Sequence, residues 1–163
     1  MAEPRWLNEK EQQAWRAFIA AQRVVNSRIE QQLQRDAGIP HTYYEILVRL
    51  SEAADNRLRM SELADATLGS RSRLSHAVNR LEQAGWVRRE GIESDRRGQV
   101  AIMTDLGRQK LVESAPGHVE EVRSAIFDAL TEEQVEQLHD ICASLARHSG
   151  DTIDRAAWER PPR

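Results

Sequence analysis

Cysteine is nearly absent: the single thiol, Cys142, has no second cysteine in the chain for a disulfide. That predicts a reducing compartment, the cytoplasm. Long apolar runs are missing too, and none approaches the ~18 residues a membrane-spanning helix needs. The start, Met1-Ala2-Glu3-Pro4-Arg5-Trp6, brings an acid at once and no apolar stretch behind it, so no secretion signal is expected. There is no glycine-rich phosphate loop and no nucleophile–base pair. The five histidines (His41, His76, His118, His139 and His148) fall without metal-ligand spacing inside any short segment. Catalysis, a cofactor and a metal are therefore not expected. Nor is there an internal repeat or a low-complexity tract. What remains is one domain's length, 163 residues, with 40% hydrophobic and 30% charged residues, a balance that describes a helix-rich globular chain.

A formal net charge of −3 at first argues against a polyanionic partner. The average hides an uneven distribution. Between Arg57 and Arg97 there are nine arginines against six acids, net +3, while the rest of the chain carries net −6. An acidic body with a basic centre suits a protein that offers one face to a polyanion. Chance clustering of surface charge gives the same count, so the pattern needs structural context.

The periodicity supplies that context. Asn8 and Glu11 form a capping-box pair ahead of Trp15, Phe18, Val25, Ile29 and Leu33, which predicts a long amphipathic helix ending near Asp36 at Gly38 and Pro40. A second helix is expected over 42–53. Asp55-Asn56 is a turn signal, and Arg57 to Met60 reads as a short strand. Ser61 is expected to cap a short helix to Thr67. Leu68-Gly69 breaks the chain, and Ser70 caps a helix over 71–84 closed by Gly85. The period then changes to extended character at 86–89 and 99–103 around a charged, glycine-ended tip at 93–98, a β-hairpin. Thr104 caps a long helix in which Pro116-Gly117 predicts a kink or short break. Thr131 to Gln134 is a capping box for the last helix. A short helix, a turn, a second helix and a two-stranded wing make a winged helix-turn-helix: mainly α, with a small β-hairpin wing and with N- and C-terminal helices left over for homodimerisation. The expected division is 1–36 with 105–150 as the dimerisation region, 37–104 as the DNA-binding region and 151–163 as a flexible tail.

On a helical wheel Leu74, Ala77, Val78 and Leu81 share one sector of the 71–84 helix. The outward face carries Arg71, Ser72, Arg73, Ser75, His76, Asn79 and Arg80, all hydrogen-bond donors. Arginine can pair with guanine O6 and N7, and asparagine with adenine N6 and N7. Ser70, at the cap, and the first free N–H groups suit phosphate oxygens. The first half of the helix is expected to reach deepest. A solvated helix face is the bland alternative, disfavoured because the acid–base pairs usual on such faces are missing. At the hairpin tip Asp95, Arg96 and Arg97 precede Gly98, the right shape to put a guanidinium into a narrow minor groove. Asp95 can also simply stabilise the turn.

These segments resemble the MarR (multiple-antibiotic-resistance regulator) family over residues 58 to 107. The likeness lies in Met60-Ser61-Glu62-Leu63-Ala64, in Leu81 to Arg89, and in Asp95-x-Arg97-Gly98 followed by Thr104-x-x-Gly107. It implies a triangular homodimer, Arg97 in the DNA minor groove, and release from a palindromic operator by a small ligand. Trp86 departs from the family's smaller aliphatic residue. Apolar faces bearing Trp15, Phe18, Val25, Val122, Ile126, Leu138, Ile141 and Leu145 are expected to form the dimer interface. By the same resemblance an effector, phenolic or carboxylate, binds between those helices and the DNA module, with Trp15, Phe18, His41, Tyr43 and Tyr44 as candidates. Plain core packing is the alternative for these rings. Cys142 sits at core spacing, and packing is favoured over a redox role. The competing function is a winged helix that meets an acidic protein partner in place of DNA.

Overall fold

A computed structural model describes residues 3–67, 70–92 and 95–148, without the side chains of residues 95–97. The expected turn at Leu68-Gly69, the hairpin apex at Glu93-Ser94 and the tail over 151–163 lie outside the described residues. The fold is a winged helix-turn-helix. Helix α1 (Glu9–Ala37) begins at the Asn8 capping box, with Asn8 N–H donating to Glu11 Oε2 at 2.8 Å and Glu11 N–H to Asn8 Oδ1 at 3.0 Å. It ends at Gly38, whose φ of 66° is left-handed. Helix α2 (His41–Glu52) follows, and Asp55 and Asn56 both adopt φ 55°, the conformation these short polar side chains tolerate best. Strand β1 (Arg57–Arg59) leads into α3 (Met60–Ala66), and α4 (Arg71–Gln83) starts from the Ser70 cap, where the hydroxyl accepts the Arg73 N–H at 3.2 Å. Strands β2 (Val87–Ile92) and β3 (Asp95–Met103) form the wing, α5 (Asp105–Ala125) crosses the molecule, and α6 (Glu132–His148) closes it.

Several boundaries differ from expectation for physical reasons. Helix α3 starts before Ser61, because the Glu62 carboxylate accepts the Arg59 backbone N–H at 2.9 Å and so satisfies the entry one turn earlier. Helix α5 runs through Pro116-Gly117 without a break. The glycine is used for packing: a Cβ at 117 would sit 2.9 Å from Nε2 of the buried Gln32 on α1. The helix ends instead at Ala125, and a single 3-10 turn (Phe127–Ala129) leads to the Thr131–Gln134 capping box. The wing is part of a three-stranded antiparallel sheet in the order β1-β3-β2, with Arg59 opposite Val100 and Val87 opposite Met103. Val100, Ala101, Ile102 and Met103 of the central strand β3 are all buried, so both of its faces are covered over this stretch.

Two apolar clusters hold the molecule. One joins α2, α3, α4 and the sheet through Ile46, Leu47, Leu50, Leu63, Val78 and Leu81; the other joins α1 and α2 through Ile29, Leu33, Ile39 and Tyr44. Each fully buried leucine or isoleucine contributes roughly 1.5–3 kcal/mol. Trp86 and Leu111 pack against both clusters, so the departure at Trp86 lies where the two meet. The second cluster is pinned by Arg28 on α1, which donates to Glu121 on α5 at 2.6 Å, and by Lys110, which donates to the Ala37 carbonyl at 2.7 Å while lying over the Trp86 ring. Among the described residues no helix is long and apolar enough to cross a membrane.

Candidate nucleic-acid interface

Burial of Leu74, Ala77, Val78 and Leu81 fixes which way α4 faces. Ser70, Arg71, Ser72, Arg73, Ser75, His76, Asn79 and Arg80 are consequently all exposed on one side of the molecule. Arg80 donates to Gln83 at 3.2 Å; among the described residues no salt bridge holds Arg71, Arg73 or Arg80. Two grooves flank the helix. One, about 320 Å³, runs toward the wing past Arg71 and Ser75; the other, about 670 Å³, runs toward the start of α2 past Arg73, His76 and Asn79. The backbone of Asp95, Arg96 and Arg97 belongs to β3, beside the first groove's Gly98 and Gln99. Their side chains lie outside the described residues.

The helix's only acid is out of play, which the sequence did not reveal. Glu82 accepts the Arg89 backbone N–H at 3.0 Å and its guanidinium Nε at 2.9 Å, tying the end of α4 to β2. The signal was there, an acid and an arginine seven residues apart across a glycine turn, but nothing in periodicity makes them meet. The pairing does two things. It removes a negative charge from the polar face, and it sets the angle between α4 and the wing. The Arg89 guanidinium holds the Glu82 carboxyl below the ordinary carboxylate range, outweighing its partial burial. Folding thus favours the ionised form, so its contribution is complete above that ordinary range and disappears as pH falls through the lowered value. Acid titration of stability is expected to show this loss in the wild type, and Glu82→Gln to flatten it. Identical acid limbs in the two proteins would refute the pairing.

The aromatic candidates do not form one site within the chain. Trp15 and Phe18 touch one another, ring centroids 6.2 Å apart, near the start of α1. The twelve-residue separation of Phe18 and Glu30 spans about 18 Å of helix, and it is Glu30 that accepts the His41 backbone N–H, at 2.9 Å. Tyr43 turns toward α4 and lines the second groove. His41 and Tyr44 instead meet His118 of α5, at centroid distances of 6.0 Å and 4.3 Å. In the sequence His118 is one of five scattered histidines, because its partners come from another helix. Its Nδ1 is buried with no hydrogen-bond partner among the described residues. Burial, and then the neighbouring His41, lower its pKa, whereas burial alone raises that of Tyr44. Among the described residues no group of three His, Cys, Asp or Glu side chains stands close enough to hold a metal.

The apolar faces also divide. Val25 and Val122 pack against the α1–α2 cluster and so serve the chain's own core. Trp15, Phe18, Leu138, Ile141 and Leu145 remain exposed, Ile141 at 59%. Cys142 is exposed as well, so the expected core packing of its thiol is not provided by the described residues.

Comparison with known proteins agrees with this architecture. The MarR family profile matches residues 37–98. The chain is 52% identical to Sco3205 of Streptomyces coelicolor, a MarR family transcriptional regulator whose crystal structure is of a complex with DNA. That superposition covers 93% of this chain and 96% of the other, with a TM-score of 0.87. AbsC, another MarR family transcriptional regulator of Streptomyces coelicolor, is 43% identical, with 89% and 97% covered and a TM-score of 0.82. The HTH-type transcriptional regulator PecS of Dickeya dadantii (strain 3937) is 32% identical over 106 residues, 64% of this chain. The matched stretch spans 63% of PecS, a little under two thirds of that relative's length.

Proposed function

The chain belongs to the MarR family of transcriptional regulators, and from that premise we propose that it is a cytoplasmic, sequence-specific DNA-binding repressor that works as a homodimer on a palindromic operator. The observation that carries the reading is the exposed face of α4, on which every polar side chain donates and the one acid is consumed by Arg89. In a major groove, Arg73 and Asn79 are placed to read base edges, with Arg71, Ser72, Ser75, His76 and Arg80 beside them and Ser70 at the phosphate-facing cap. Asp95, Arg96 and Arg97 carry the minor-groove contact from the wing. The similarity to a regulator crystallised with DNA supports this assignment.

The same reading assigns a division of labour. Residues 37–104 bear the DNA module; 1–36 and 105–150 carry the dimer contacts. We assign the effector, a small phenolic or carboxylate molecule, to the place where His41 and Tyr44 converge on His118, whose buried Nδ1 has no hydrogen-bond partner among the described residues. Trp15 and Phe18 are then assigned to the dimer face.

The deciding experiment is duplex binding by anisotropy, using sites selected by the wild-type protein from a random pool. Arg73→Ala is expected to cost about 1–3 kcal/mol per half-site and to relax preference at one base position of each half-site. Arg97→Ala is expected to weaken binding most on sites with an A·T-rich flank. If neither substitution alters binding, or if wild-type affinity is insensitive to salt, a protein partner for α4 becomes the better reading.

A further inference from the structure

A helix seated in a major groove and a wing reaching the adjacent minor groove have one sugar-phosphate strand between them, because that strand is what separates the two grooves. On this protein the strand has to cross the cleft between α4 and the wing. The floor of that cleft holds Arg59, Ser61, Arg71, Leu74, Ser75 and Gln99, and no acid lines it among the described residues. Arg59 has no other evident task. It is exposed on the edge strand β1, with Arg57 exposed on the same face, and no salt bridge uses it among the described residues. Among the described residues its backbone N–H alone is engaged, and the Glu62 carboxylate that accepts it is thereby held on the chain entering α3.

We propose that Arg59, with Ser61 and Arg71, is a phosphate clamp that grips the strand passing between the recognition helix and the wing. The inference rests on the DNA-binding reading and deepens it: the contact fixes how far α4 enters the groove while reading no base itself. A planar guanidinium on a rigid edge strand can donate two parallel hydrogen bonds to one phosphate. Hydroxyls at Ser61 and Ser75 suit the remaining oxygens. The contact is indifferent to sequence, so it acts equally on every duplex.

The test is the salt dependence of duplex binding by the full chain, between about 50 and 200 mM salt. It uses the duplex the wild type selects and a scrambled duplex of the same composition. Arg59→Ala removes one such contact from each half of the dimer, so it is expected to make the slope of log affinity against log salt shallower by about 1.8, equivalent to roughly 12-fold over that range. The loss of affinity should be by the same factor on both duplexes, and Arg59→Lys should retain the slope as a point charge. Scanning neutral methylphosphonates along the selected site gives an independent readout: one position in each half-site should weaken the wild type and leave Arg59→Ala unaffected. Since Glu62 is held by a backbone N–H, Arg59→Ala should melt with the wild type. An unchanged slope, a loss confined to the selected duplex, or no position of differential sensitivity overturns the clamp. A wild type with no duplex affinity overturns the DNA reading and the clamp with it; a steep wild-type slope that Arg59→Ala leaves unaltered overturns the clamp alone.

Discussion

Gly107→Ala is expected to be the most damaging single methyl group in this protein. A Cβ at 107 would stand 2.1 Å from the Trp86 carbonyl oxygen, 2.9 Å from its carbon and 3.1 Å from Met103 Cγ. The first two are backbone atoms, so no rotamer change relieves the clash. Neither side can retreat easily. The Trp86 carbonyl accepts the Thr104 N–H at 3.0 Å, the Thr104 hydroxyl donates to the Gly85 carbonyl at 2.6 Å, and the same hydroxyl accepts the Gly107 N–H at 3.1 Å. Gly85 is itself committed, with φ 73° at the end of α4. The substitution must therefore pry the first turn of α5 away from the end of α4, against Trp86, where the two apolar clusters meet. A cost at or beyond the upper end of the usual overpacking range, about 3 kcal/mol, is expected. For a chain of this size that lowers the melting temperature by roughly 6–12 °C. Thermal unfolding by circular dichroism checks it, with Thr104→Ser as a control that keeps the hydroxyl. A melting temperature within about 2 °C of wild type would mean the contact is not real.

The same junction shows what was legible in the sequence and what was not. Thr104-x-x-Gly107 was recognisable as a pattern, and Gly85 as a helix terminator, because both act locally through caps and a left-handed turn. That the two belong to one joint, with the Trp86 carbonyl between them, depends on two segments about twenty residues apart meeting, which no local rule supplies. The recognition helix was legible in full, since its apolar sector and Ser70 cap are periodic and local. Pro116-Gly117 misled for a related reason. Proline and glycine weaken a helix in isolation, but here α5 is held by α1, and Gly117 is needed for the approach of Gln32. The pairing of Glu82 with Arg89 and the convergence of His41, Tyr44 and His118 were hidden because each partner lies in a different element. Arg59 looked like one more strand residue, and its proposed role depends on a cleft that exists only after the sheet packs beside α4.

Ile141→Asp is expected to separate the protein into single chains and to take operator binding with it. Helix α6 runs for seventeen residues, yet among them only Ala143 is buried. A helix of that length is marginal in water by itself and takes most of its stability from an apolar face packed on something else. Leu138 and Ile141 lie on such a face, three residues apart, and both are exposed, as are Trp15 and Phe18 on α1. A second copy of the chain is the occupant that also fits the palindromic operator proposed above, since a twofold axis pairs identical faces and holds two α4 helices at a fixed separation. Aspartate on that face would carry an unpaired charge into that interface, costing about 3 kcal/mol or more, a hundredfold or greater rise in the dimer dissociation constant. Light scattering coupled to gel filtration should find the wild type at twice the chain mass and the variant at the chain mass, with a loss of helical signal as α6 frays. Affinity for the selected palindrome should fall by a similar or larger factor, because the second half-site no longer binds as part of one molecule. Affinity for an isolated half-site should change little, since α4, the wing and the cleft between them are untouched. A variant that stays dimeric, or that loses half-site and palindrome binding alike, would place the dimer contact elsewhere on the chain.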